Sequence, residues 1–236
     1  MEYAISTFCY GERYYAQTSR MIESFDYMEV KPQIFIVTDN VDALLKRDFV
    51  MVKHITEYNP KYQTYHKNYY GFDFSVKRYS LLYAFQNGHE NVILCDTDVV
   101  VNNTLYSHIL VQKSFDDNSI VGPVTYNFND EFKTNSMLGR RLTHYENKFG
   151  VEYDKDRLNF MPEDCIQYIS IKGDLRFSFL ETWNKCIEIK DTENLYNTPA
   201  GNIDEMCFSA FYNNITVGNN ANKCLNLLTA KHDKWY

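Results

Sequence analysis

Glycine and proline are scarce in this chain of 236 residues, nine and five in number. That excludes a collagen-like or linker-rich polymer. No apolar run approaches the roughly 18 residues that a membrane-spanning helix needs. The opening stretch MEYAISTFCYGERYY lacks both a basic start and an apolar signal core, so the chain is expected in the cytosol. Cys9, Cys95, Cys165, Cys186, Cys207 and Cys224 show no CxxC spacing, which speaks against zinc-ribbon and thioredoxin-like chemistry. Basic charge is also short: 24 Lys and Arg face 31 Asp and Glu, a net charge of -7. A whole-domain basic footprint for nucleic acid is therefore missing.

What the chain does have is apolar and aromatic mass. Hydrophobic residues make up 44% and aromatic residues 16%, which excludes disorder and supports a sizeable single core. The abundance of Tyr, Phe and Asn is a bias that accompanies AT-rich genomes, and a phage or large-virus source is expected, with the host cytoplasm as location.

The pattern predicts an α/β fold. Residues 3–9 read as a buried strand, 12–28 as a helix, 33–39 as a second strand, 41–47 as a short helix and 49–55 as a third strand. Strand and helix alternating with tight connections imply parallel pairing by right-handed crossovers. A helix over 74–88 stopped by Gly88, a strand over 91–101, a helix over 105–112 and a strand over 120–128 follow. Further strands are expected over 165–173 and in ITVG and LNLLTAKH, with helices over 176–189 and 204–214. No linker divides the chain, so 1–236 is read as one domain, with 1–101 the nucleotide-binding half and 102–236 the acceptor-binding half.

The strongest chemical signal is Asp96-Thr97-Asp98, entered from Val92-Ile93-Leu94-Cys95 and left through Val99-Val100-Val101. Two neighbouring carboxylates are costly to bury unless a cation or protons compensate. In an open α/β sheet the carboxyl end of a strand is where ligands bind. If 91–101 is extended throughout, Asp96 and Asp98 share one side of it. Carboxylate oxygens suit Mg²⁺ or Mn²⁺, ions that neutralise a diphosphate.

This pattern resembles the GT-A nucleotide-sugar glycosyltransferases, most closely the glycogenin and lipooligosaccharide galactosyltransferase group. The resemblance runs over most of the chain. It implies a Rossmann-like GT-A domain with a mostly parallel central sheet flanked by helices, and a sugar moved from a nucleotide-diphosphate sugar, UDP first, to an acceptor hydroxyl with retention. Thr7-Phe8-Cys9 and Tyr14 match the opening strand and helix that hold base and ribose. Lys77 stands where the group has a basic donor contact, and Arg78 beside it is the alternative or a solvated position. The resemblance implies Asp96 and Thr97 toward the nucleotide, and Asp96, Asp98 and His232 toward Mn²⁺ or Mg²⁺. Gln167 takes an amide position in the acceptor-side strand, without the group's small Ser-Gly pair. Asp164 and Glu163 are candidates for sugar hydroxyls, Asp204 lies where an acid stands beside the reacting sugar, and Glu205 replaces a usual Gln. Lys234 follows His232 at shorter spacing than in the group and would contact pyrophosphate.

Other readings stay open at this point. Asp39 at the end of the second strand suits a ribose or uracil contact, or simply a turn. Tyr62, Tyr65, His66, Tyr69 and Tyr70, with Lys61 and Lys67, make either a stacking platform for sugar or base, or a surface loop. The acceptor is open between sugar, protein and a modified DNA base. The rival activities are a haloacid-dehalogenase-type phosphatase with Asp96 as nucleophile and a non-enzymatic binding module; in the former the motif opens the domain, unlike here.

Overall fold

The computed structural model describes residues 3–60, 77–100, 120–127, 160–162, 166–170 and 227–230, and the helical positions 176, 177, 180, 181, 183 and 184. Its sheet begins with β1 (Ala4–Cys9), β2 (Gln33–Thr38), β3 (Val50–His54) and β4 (Asn91–Cys95). The later strands are β5 (Ile120–Asn127), β6 (Phe160–Pro162), β7 (Ile166–Ser170) and β8 (Leu227–Ala230). The strand order is β3-β2-β1-β4-β7-β5-β6, with β8 pairing β5.

β2 and β4 flank β1 in parallel, and β3 extends the parallel set beyond β2. β7 runs antiparallel to β4. β5 is antiparallel to β7 and parallel to β8, so both share the direction of β4, while β6 opposes them. The mostly parallel sheet expected from the sequence is thus present. β1 is buried at every position, the near-continuous apolar run that a central parallel strand requires. Half-exposed β3 is one edge.

Two helices cover opposite faces of this sheet. α1 (Glu12–Phe25) buries Thr18, Met21, Ile22 and Phe25, spaced along one stripe. That stripe packs on Ile5, Cys9, Ile34, Ile36, Ile93 and Cys95, alternate positions of their strands. α2 (Lys77–Gln86) takes the other face, where Ser6 Oγ donates to Ser80 Oγ (2.7 Å) and Phe35 meets Tyr83 edge-on at 5.0 Å. Nearly all of α2 is buried, so its pattern carries little periodicity. Gly88 closes it at φ 87°: Gly88 N–H donates to Phe85 O (3.0 Å) and His89 N–H to Ala84 O (3.2 Å), the paired bonds of a Schellman motif. Each fully buried Leu, Ile or Phe in these layers contributes about 1.5–3 kcal/mol.

Two expectations are corrected. The helix expected over 41–47 is a single 3₁₀ turn, Val41–Ala43, followed by extended Leu44. A helix of seven residues is marginal without strong packing of its own, and burial of Leu44 and Phe49 in the core draws the chain flat instead. The strand expected over 91–101 ends at Cys95, and Thr97-Asp98 form a turn in which Val99 N–H faces Asp96 O at 3.4 Å. β6 is a strand that the sequence pattern did not predict. The elements expected over 105–112, 204–214 and 215–218 lie outside the described residues.

Candidate active site

The chain leaves β1 toward β2 and β3 on one side, then returns to place β4 on the other side of β1. Between β1 and β4 the connections therefore diverge, and their carboxyl ends open a crevice of the kind in which α/β proteins bind ligands. Two loops border it: Tyr10-Gly11 after β1 and Asp96–Val100 after β4.

The pleat of β4 sets the side-chain directions in the second loop. Ser6 pairs with Leu94, whose parity puts the next even position on the α2 side. Asp96 indeed turns to α2, where its Oδ1 lies 2.6 Å from Lys77 Nζ. The Lys77 side chain is 4% exposed and that of Asp96 25%. Thr97 turns to the other face, buried, and donates to Gln17 Oε1 of α1 at 3.3 Å. Asp98 is exposed on the turn. The extended run that the pleat argument assumed stops at Cys95, so a turn sets the relation of the two carboxylates.

The β1 loop is braced from β2. Gly11 stands at φ 78°, ψ 160°, a conformation nearly confined to glycine. Asp39 Oδ1 accepts from Tyr15 Oη (2.6 Å) and from Gly11 N–H (3.4 Å). His54 Nε2 sits 2.9 Å from Asp39 O, and Nδ1 2.6 Å from Thr56 Oγ1. Burial, followed by the hydrogen bond to Asp39, raises the Tyr15 pKa. Asp39 therefore ties the ends of β1, β2 and β3 together. Sequence reasoning missed Tyr15 and Gln17; their places on α1, one and three residues after Tyr14, were the available signal.

No protein-family model and no curated protein matches the sequence. Solved structures do match in shape. Mouse xyloside xylosyltransferase 1, apo form, aligns over 97% of this chain and 85% of its own, with TM-score 0.50 and 10% identity. The WbbM bifunctional glycosyltransferase, also apo, aligns over 95% of this chain with TM-score 0.52 and 12% identity. This chain has the GT-A fold. It spans 38% of WbbM, so the resemblance to that protein concerns the fold of one part.

On this GT-A frame the anticipated site residues divide by position. Thr7, Phe8 and Cys9 are buried in the last half of β1. Thr7 Oγ1 has no hydrogen-bond partner among the described residues, while the Cys9 thiol is bonded by Thr18 and Thr38 and its pKa is pushed by burial up to about 12. Tyr14 is half-buried on the first turn of α1, with the Arg13 guanidinium 5.8 Å over its ring. Lys77 pairs with Asp96 on the α2 face of the loop after β4, and Thr97 bonds Gln17 on the α1 face; Arg78 instead donates to Tyr79 Oη at 2.8 Å and covers its ring. Gln167 lies in β7 opposite Leu94, one strand from β4. Asp164, Asp204, His232, Glu163, Glu205, Lys234 and residues 61–76 lie outside the described residues. Among the described residues no three His, Cys, Asp or Glu side chains group as a metal site. No described helix is long and apolar enough to cross a membrane.

Proposed function

We propose that this chain is a metal-dependent glycosyltransferase that moves a sugar from a UDP-sugar to an acceptor hydroxyl with retention of configuration. The observation that carries this reading is the acidic turn Asp96–Asp98 at the carboxyl end of β4, beside the end of β1, in a GT-A fold. The donor atoms fit a hard dication: both are carboxylates, one exposed and one already offset by a buried ammonium. Asp96, Asp98 and His232 would hold Mn²⁺ or Mg²⁺, which when bound supplies Lewis-acid stabilisation of the departing diphosphate.

The rest is the work of the chain's own side chains. The β1 end, with Thr7, Phe8, Cys9 and Tyr14, supports the base and ribose, and Lys77 and Thr97 support the loop that meets the diphosphate. The buried Thr7 hydroxyl, without a hydrogen-bond partner among the described residues, is a polar group that an internal water would satisfy. Gln167, Asp164 and Asp204 are assigned to the acceptor and reacting sugar, the strand of Gln167 being the neighbour of β4. The acceptor class is a sugar, a protein or a modified base. A phosphatase or pure binding role draws no support from the GT-A fold.

Thermal unfolding with UDP and Mn²⁺, singly and together, tests this reading. Joint addition should stabilise more than either alone; UDP at a hundredfold excess over its dissociation constant in Mn²⁺ should add about 2.7 kcal/mol over the chain without UDP. A melting curve indifferent to UDP under every metal condition, with turnover of a generic phosphate ester, would sink it.

A further inference from the structure

We propose that Lys77 is a positioning residue for Asp96, acting on any ligand of the acidic turn through that carboxylate and not by touching the donor. The inference rests on the nucleotide-sugar reading above and departs from the direct donor contact that the sequence resemblance implies. Its ground is the way the ammonium is held. The Lys77 side chain is 4% exposed, with Nζ 2.6 Å from Asp96 Oδ1. A cation so buried is costly unless paired, and Asp96 supplies the pairing charge.

The Lys77 backbone is fixed as firmly as its charge. Ser6 Oγ of β1 donates to Ser80 Oγ, which donates to Lys77 O, each bond 2.7 Å. That relay crosses from strand to helix beside the β1–β4 junction, where Ser6 pairs with Leu94. Lys77 is thus anchored below the loop, while Asp96, a quarter exposed, is the member of the pair open to solvent. Arg78, the adjacent cation, is spent on Tyr79 and gives Asp96 no substitute. A buried donor that fixes one oxygen of a ligand-binding carboxylate orients it, and loss of such a partner typically weakens metal binding 10–100-fold.

The test uses the full chain, UDP and Mn²⁺, and the variants Lys77→Met, Asp96→Asn and their combination. Calorimetric titration of UDP with Mn²⁺ should weaken on the order of tenfold in Lys77→Met, while UDP binding in EDTA stays as in the wild type. Adding Lys77→Met to Asp96→Asn should cost nothing further. A merely structural lysine would lower the melting temperature without changing the Mn²⁺ requirement. In the absence of any ligand, the double variant should melt no lower than Asp96→Asn alone. Should Lys77→Met fail to fold, Lys77→Arg keeps the charge and should retain Mn²⁺-dependent binding, and Lys77→Gln should not. Weaker UDP binding in EDTA, or an undiminished effect of Lys77→Met in the Asp96→Asn background, would overturn the proposal and leave the nucleotide reading intact. A wild type that binds UDP under neither condition would bring down that reading and the role of Lys77 with it.

Discussion

Asp96 and Asp98 are separated by one residue and differ in almost everything else. Asp98 is exposed on its turn, so Asp98→Asn removes charge from solvent and should change stability by no more than about 0.5 kcal/mol. It should nevertheless abolish the joint stabilisation by UDP and Mn²⁺, and with it transfer. Asp96→Asn removes the carboxylate charge that faces the Lys77 ammonium, whose side chain is 4% exposed. Removing one partner of a fully buried pair costs 3–5 kcal/mol; with Asp96 a quarter exposed, about 2–3 kcal/mol is expected. Urea unfolding of the two variants without ligand checks the contrast. Equal stability would show that the Lys77–Asp96 contact carries no weight in the fold. The sequence motif treats the two acids alike. Only the neighbours brought by α2 tell them apart.

At the level of elements, two glycines with positive φ do different work. Gly11 joins β1 to α1 at φ 78°, and Gly88 ends α2 at φ 87°. At neither does an added Cβ meet an atom of the described residues within 4 Å, so against these residues replacement by alanine costs backbone strain alone. That strain is about 1–3 kcal/mol in the glycine-only region of Gly11 and about 1 kcal/mol at Gly88. Gly88 lies at the far end of α2, and Gly88→Ala should lower the melting temperature while leaving UDP affinity unchanged. Gly11 follows the carboxyl end of β1 and donates to Asp39; on the proposed function, Gly11→Ala should lower both. Paired melting and titration experiments separate the two, and an unaltered UDP affinity in Gly11→Ala would remove the β1 loop from the site. The 3₁₀ turn at Val41–Ala43 and the early end of β4 show where local pattern was overruled. Core burial of Leu44 outweighed a weak helix, and tertiary partners for Asp96 and Thr97 outweighed an apolar run that continued through Val99.

Across the whole molecule, buried acids of high pKa predict alkaline fragility. Burial raises the pKa of Cys9 from 9.0 to about 12, and it also raises Tyr3, Tyr15, Tyr58 and Tyr83. Between pH 9 and 12 the unfolded Cys9 thiol gives up its proton and the folded one keeps it, so the unfolded state binds fewer protons and stability falls as pH rises. Below pH 9 this contribution is complete. Asp26 has the opposite sign: its hydrogen bonds from Arg47 lower its pKa, so its contribution is present above the ordinary carboxylate range and fades in acid. Unfolding midpoints in urea from pH 7 to 11 should decline above pH 9, and alkylation mapped by mass spectrometry at pH 8 should spare Cys9 until urea is added. Early labelling of Cys9 in the native protein would contradict its burial.

The sequence by itself determined β1 to β4, α1 and α2, and it marked Asp96 and Asp98 as candidates, because hydrophobic period and charge are local properties written residue by residue. The tertiary structure alone decided that β4 returns to the side of β1, that Asp96 meets Lys77 while Thr97 meets Gln17, and that Asp39 braces Gly11. Those outcomes depend on strand order and on which helix covers which face, and both are settled by packing between segments far apart in the chain.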